Sequence, residues 1–166
     1  MEPPPDQLAI HDVLWRFMVA AIAGAILGLP AEIKGRPGGI RTHALVSLGS
    51  VVFCIAALAV VGPTSENLLR VIQGIASAVG FIGGAAVLRG DRIVQGINTA
   101  ASIWISAAVG IAISFISSPI LGILAALVAT AINWGFMELE LKLEHRRQGG
   151  GGESGTTDAP AGRTRR

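Results

Sequence analysis

Charged residues are scarce in this chain. Asp, Glu, Lys and Arg make up 14% of the 166 residues, whereas apolar residues make up 51%. A soluble domain carries about a quarter charged residues, because its surface faces water. Tyrosine is absent and Cys54 is the single cysteine, so an internal disulfide is excluded. The shortage of charge indicates that much of the surface faces a medium other than water.

The arrangement of the charges identifies that medium. Asp, Glu, Lys, Arg and His are absent from four long segments, residues 17–31, 44–65, 71–88 and 93–137. A bilayer core about 30 Å thick needs roughly 20 apolar residues in a helix. The segments are apolar around the whole helix, whereas the helices of a soluble bundle keep a polar face. The sequence therefore predicts an all-α, polytopic membrane protein with about five transmembrane helices.

Proline and glycine place several ends of these helices. Pro30 predicts the end of the first span, and Gly62-Pro63 predicts the end of the second. Residues 148–166 are rich in Gly, Ser, Thr, Pro and Arg, which predicts a disordered tail. The predicted transmembrane domain covers residues 1–147, with spans at residues 13–29, 44–61, 67–88, 98–116 and 119–137.

The basic residues predict the orientation in the membrane. If there are five spans, eleven of the thirteen Lys and Arg residues fall on one side. Only Arg16 and Arg70 fall on the other side. Cytoplasmic loops of membrane proteins carry the excess of Lys and Arg. We therefore expect the N-terminus outside and the C-terminus in the cytoplasm.

Small residues form stripes on two of the predicted helices. Ala20, Gly24 and Gly28 repeat every four residues in the first span, and Gly80 and Gly84 do so in the third. Stripes of this kind let helix backbones approach closely within a bilayer. Two interpretations stay open. The stripes form contacts within one bundle, or they form a seam with a second copy or with another membrane protein.

Residues that could carry chemistry are few. No carboxylate lies at mid-membrane depth in the predicted spans, which weighs against a dedicated cation path. His11, His43 and His145 lie outside those spans and far apart in sequence, so no nucleophile with a base and no metal-ligand set is indicated. We expect no enzymatic activity, no cofactor and no metal. Nucleic-acid binding is not expected either, because no aromatic residues interleave with the basic ones.

Four sequence runs together resemble one known family. They are residues 24–29 (GAILGL), 35–43 (GRPGGIRTH), 79–88 (VGFIGGAAVL) and 94–110 (VQGINTAASIWISAAVG). In this order and spacing they resemble the MgtC/SapB family of bacterial membrane proteins, over roughly residues 14–115. The resemblance implies an inner-membrane protein with an outside N-terminus and about five spans. It also implies links to growth in low magnesium, to survival of pathogens inside macrophages and to membrane potential, with the F-type ATP synthase as a partner.

The resemblance also selects residues. The family pattern has an acidic residue and an arginine after Gly28-Leu29, whereas this chain has Pro30 there and only the second acidic residue, Glu32. The candidate positions of the loop and of helix packing are Glu32, Arg36, Arg41, Thr42, Gly80, Gly83, Gly84, Asn98 and Thr99.

Two functions stay open on this sequence. The first is a non-catalytic regulator that contacts another membrane complex through its helices, in the lipid bilayer and with self-association as a variant. The second is a transporter or channel for a cation such as magnesium, with Glu32 and the polar run Asn98, Thr99 and Ser102 as its candidate residues.

Overall fold

The computed structural model describes residues 9–89, 94–115 and 118–149 of the chain. Its contacts divide the chain into two compact units, Met1–Asn133 and Trp134–Arg166. The prediction of an all-α fold is confirmed. The described part holds five helices, and two short antiparallel strands join the third to the fourth. The elements are α1 (Ile10–Ile33), α2 (Ile40–Val61), α3 (Asn67–Ala86), β1 (Leu88–Arg89), β2 (Val94–Gln95), α4 (Ile97–Phe115) and α5 (Ile120–Gly149).

The helices have the length and surface of a multi-pass membrane protein. Among the described residues, α1 to α4 are long and apolar enough to cross a bilayer. Large apolar side chains cover their outside; Phe53, Val60 and Phe81 are 65%, 83% and 82% exposed. The apolar part of α5, Ile120–Gly135, is shorter. Four spans are therefore supported by length, and the fifth stays a prediction. The predicted tail, apart from its first two residues at the end of α5, lies outside the described residues.

Pro30 lies inside α1, so the prediction that it ends the helix is wrong. Proline has no N–H, which leaves the carbonyl four residues earlier without its helical donor. That carbonyl belongs to Ile26, and the hydroxyl of Thr130 in α5 donates to it at 3.3 Å. A hydroxyl from a neighbouring helix is one means by which membrane helices tolerate proline. The helix continues to Ile33.

The core has two parts, and α2 and α4 contribute to both. The first part joins α1 to α5 through α2 and α4, and the second joins α3 to the same two helices. The buried residues of the first are Val19, Ala20, Ala23, Leu27, Val51, Val109, Ile113 and Ala126. Those of the second are Cys54, Ile75, Val79, Ile103 and Ala107.

The glycines of α1 lie directly against the backbone of α2. A Cβ atom on Gly24 would lie 2.7 Å from the Ala44 Cα atom, and one on Gly28 would lie 2.7 Å from the Gly39 carbonyl oxygen. Side chains at these positions would force the two helices apart. The small-residue stripe of α1 is therefore a contact within the bundle, as the first interpretation predicted.

Candidate functional site

The loop between α1 and α2 is a tight connection that lies on the beginning of α4. The N–H groups of Gly35 and Arg36 donate to the last carbonyls of α1, those of Glu32 and Ala31, at 3.0 and 2.9 Å. Gly38 has a φ of 79°, a conformation that favours glycine. A Cβ atom on Gly38 would lie 2.7 Å from the Cγ2 atom of Thr99. The loop thus brings the ends of α1, α2 and α4 together.

Glu32 caps the N-terminus of α2. Its Oε2 atom accepts the backbone N–H of Ile40 at 3.0 Å, and the N-cap residue itself, Gly39, has no side chain for this task. The first N–H groups of a helix lack partners within the helix and carry partial positive charge, which a carboxylate satisfies. The carboxylate also occupies the space where a Cβ atom on Gly39 would lie. Glu32 is therefore a structural link between α1 and α2.

His43 is fully buried, and both of its ring nitrogens have partners. The Nδ1 atom lies 3.0 Å from the Gly39 carbonyl oxygen, and the Nε2 atom lies 2.9 Å from the Ser102 Oγ atom on α4. The same Oγ atom lies 2.9 Å from the Thr99 carbonyl oxygen and donates to it. We call Glu32, Gly39, His43, Thr99 and Ser102 the loop junction. It connects α1, α2 and α4 at one end of the bundle.

Sequence reasoning placed His43 in the loop, outside the spans and far in sequence from the other two histidines. The structure places it in the first turn of α2, because α2 begins at Ile40 and not near residue 44. The signal that could have found it is the spacing of His43, Ser47, Ser50 and Cys54. These positions follow the helical period of one face, and all four side chains are buried.

Further along, α2 and α4 meet along a face of small polar residues. The hydroxyls of Ser50, Ser106 and Ser114 donate to carbonyls four residues earlier in their own helices, at 2.9, 3.1 and 3.1 Å. The Ser47 hydroxyl has no partner among the described residues. A Cβ atom on Gly110 of α4 would collide with the Ser47 carbonyl oxygen. Close helix approach, rather than ligand binding, is what most of these residues provide.

The other predicted site residues lie in the loop, at the beginnings of α2 and α4, and in α3. Arg36 and Arg41 are exposed and Thr42 is half-buried. Of the two predicted residues that open α4, Asn98 is exposed, whereas Thr99 is buried in the loop junction. Within the described residues, no group of three His, Cys, Asp or Glu side chains could hold a metal ion.

The glycines of α3 face in two directions. Gly83 is buried, and a Cβ atom there would lie 3.4 Å from the Cβ of Ala100 in α4. Gly80 and Gly84 are exposed, and a Cβ atom at either position would meet no atom of the described residues within 4 Å. Gln73 and Ser77 are exposed too, and they share one helix face with Gly80 and Gly84. We call these four residues the open face of α3.

Comparison with known proteins places the chain among bacterial relatives. The profile described as the MgtC family matches residues 17–142. The chain is 38% identical over 120 residues to Protein SrpB of Synechococcus elongatus, which covers 65% of this chain and 64% of the relative. It is 31% identical over 106 residues to Protein MgtC of Salmonella typhimurium, with 64% and 45% covered.

A third relative is the Putative magnesium transporter YhiD of Escherichia coli, 33% identical over 104 residues, with 59% of this chain and 48% of the relative covered. The matches thus span from about half to just under two thirds of the length of these curated relatives. No solved structure matches the chain significantly.

Proposed function

The chain belongs to the MgtC family, and from this premise we propose that it is a non-catalytic membrane protein that regulates another membrane complex through helix-to-helix contact. The partner would be a membrane protein that presents transmembrane helices in the same bilayer. The F-type ATP synthase is the partner suggested by the family resemblance, and membrane potential, low-magnesium growth and intracellular survival are the settings in which such regulation acts.

The open face of α3 is the observation that carries this proposal. Gly24, Gly28 and Gly110 lie against neighbouring helices, whereas Gly80 and Gly84 do not. Helices associate in lipid through small residues and interhelical hydrogen bonds. Gln73 and Ser77 offer such hydrogen bonds and are costly when they face lipid alone. A partner helix on this face would satisfy both features.

Replacing Gly80 by leucine tests the proposal. A leucine side chain would hold a partner helix away from the open face, and we expect recovery of the partner from solubilised native membrane to fall at least tenfold. The chain itself should accumulate normally and resist unfolding by SDS as the parent does, because no other helix of the described residues has an atom within 4 Å of a Cβ at this position. The measurement is quantitative co-purification with a tagged chain.

Gly135→Leu is the matched control, since Gly135 is also exposed and a Cβ atom there meets nothing within 4 Å. It should leave co-purification unchanged. Equal recovery with Gly80→Leu and with the parent would contradict the proposal, and so would recovery of no protein other than further copies of this chain.

Cation transport is the second candidate, and the name of the Escherichia coli relative favours it. Its best residues in this chain are Glu32 and Thr99, which border the same loop. Glu32, however, already accepts the Ile40 N–H group. We therefore expect liposomes that contain the purified chain to pass magnesium no faster than empty vesicles. Flux well above that leak, and lost in Glu32→Ala, would favour transport over regulation.

The orientation is part of the proposal. With five spans, eleven Lys and Arg residues lie on the cytoplasmic side and two on the outer side. The N-terminus would then be outside, the C-terminus cytoplasmic, and the loop junction would lie at the cytoplasmic end of the bundle. Exposed Arg36 and Arg41 would meet the anionic headgroups of that leaflet.

A further inference from the structure

His43 lies in a row of three polar contacts within the loop junction. When the histidine is neutral, the side chains of this row supply one proton too few for all three contacts to be hydrogen bonds. Three contacts form a row, from the Gly39 carbonyl to the His43 ring, from the ring to the Ser102 hydroxyl, and from the hydroxyl to the Thr99 carbonyl. Both ends of the row are carbonyl oxygens, which only accept. Three contacts need three protons, whereas a neutral imidazole and a hydroxyl supply two.

The third proton can bind at only one group of the row, the imidazole ring of His43. An imidazolium carries a proton on each ring nitrogen, so Nδ1 would donate to Gly39 and Nε2 would donate to Ser102. The Ser102 hydroxyl would then be released to donate to Thr99. In the neutral form, Ser102 can donate either to His43 or to Thr99, but not to both. Protonation therefore makes Nε2 the donor to the Ser102 hydroxyl, and all three hydrogen bonds of the row can form at once.

Glu32 acts on the same row through a single peptide group. The peptide between Gly39 and Ile40 donates its N–H to the Glu32 carboxylate and presents its carbonyl to the His43 ring. Hydrogen bonds linked in this way polarise one another, so the carboxylate makes the Gly39 carbonyl a stronger acceptor. A stronger acceptor at Nδ1 favours the charged ring. The row thus runs from a carboxylate on α1 to a carbonyl on α4.

The elements packed around His43 carry few other charged side chains. α4 contains no Asp, Glu, Lys, Arg or His at all, and α3 contributes only Arg70, which is exposed. On the loop and on α2 itself, Arg36 and Arg41 are exposed, and Lys34 follows α1. Cys54 lies three turns further along α2.

We propose that His43 is a proton-binding site, and that taking up one proton completes the row of hydrogen bonds from the Gly39 carbonyl through His43 and Ser102 to the Thr99 carbonyl on α4. The ligand is a proton from the compartment that the loop faces. The site belongs to the chain itself and does not rest on the proposed contact with a partner complex.

Ring-nitrogen NMR of the purified full chain in lipid nanodiscs tests the site. The three histidines are labelled with nitrogen-15, and the His43 signals are assigned by their loss in His43→Gln. The signals of His11, which is exposed on α1, provide a comparison within the same sample. We expect the His43 ring to gain a proton as the pH is lowered, so that both ring nitrogens are protonated at the low end of the titration.

Two variants distinguish a histidine that binds its proton through this row from a histidine that is only buried. Ser102→Ala removes the acceptor at Nε2, and Glu32→Gln removes the charge that polarises the peptide. Each should lower the midpoint of the His43 titration by about one pH unit, a tenfold loss of proton affinity, while His11 stays unchanged. A neutral His43 ring across the whole range would overturn the proposal, and so would a midpoint that neither variant moves.

Discussion

Leucine in place of Gly24 is expected to unfold the bundle at SDS concentrations that the parent chain resists. The atoms that the new side chain would meet are backbone atoms of His43 and Ala44 on α2, which cannot rotate away. Overpacking a close contact costs typically about 1–3 kcal/mol and occasionally more. Because the obstacle here is main chain, we expect a loss of about 3 kcal/mol or more in the free energy of unfolding.

The measurement is SDS-driven unfolding in mixed micelles, followed by tryptophan fluorescence. Gly80→Leu makes the same chemical change on a glycine with nothing within 4 Å of its Cβ position, so it should leave the unfolding midpoint where the parent has it. If the two variants unfold alike, the close approach of α1 and α2 in the structure is wrong.

Gly110→Leu is expected to have an effect of similar size at the second close contact. A Cβ atom at Gly110 would collide with the Ser47 carbonyl oxygen and lie 2.9 Å from the Ser50 Cβ atom. The helices α2 and α4 serve both parts of the core, so their separation would loosen α1 and α3 together. We again expect a loss of about 3 kcal/mol or more in the free energy of unfolding.

Gly49 provides the comparison for this second substitution, since it lies in α2 itself and a Cβ atom there meets nothing within 4 Å. Gly49→Leu should change the unfolding midpoint little. A Gly110→Leu chain as stable as Gly49→Leu would mean that α2 and α4 are not in backbone contact at this level.

The helices themselves were predictable because the bilayer imposes a simple rule on composition. Uninterrupted apolar stretches marked α2 and α3 to within a few residues at each end. Pro30 misled the prediction of the end of α1, because a local rule about proline takes no account of a hydroxyl on another helix. Whether α5 crosses the bilayer depends on its apolar length, and Ile120–Gly135 is shorter than the other four.

The candidate site was only partly predictable, because its parts are far apart in sequence. Glu32 was selected from the family resemblance and as a candidate residue for cation transport, whereas its contact with the Ile40 N–H depends on how the loop turns back. Ser102 lies 59 residues from His43, so no local pattern joins them. The sequence placed Gly80 and Gly84 in one stripe with Gly83 beside it, but it did not indicate that Gly83 is covered and Gly80 is open. Helix rotation within the bundle decides that difference.

Pro30 and Thr130 both determine the hydrogen bonding of the Ile26 carbonyl, although they lie on the first and last helices of the described residues. The proline removes a donor from the Ile26 carbonyl and the threonine supplies another. A lineage that gained the proline first would have carried an orphaned acceptor inside the bilayer, a costly intermediate. We therefore expect the hydroxyl at position 130 to be the older of the two, and the proline to be the newcomer that it made tolerable.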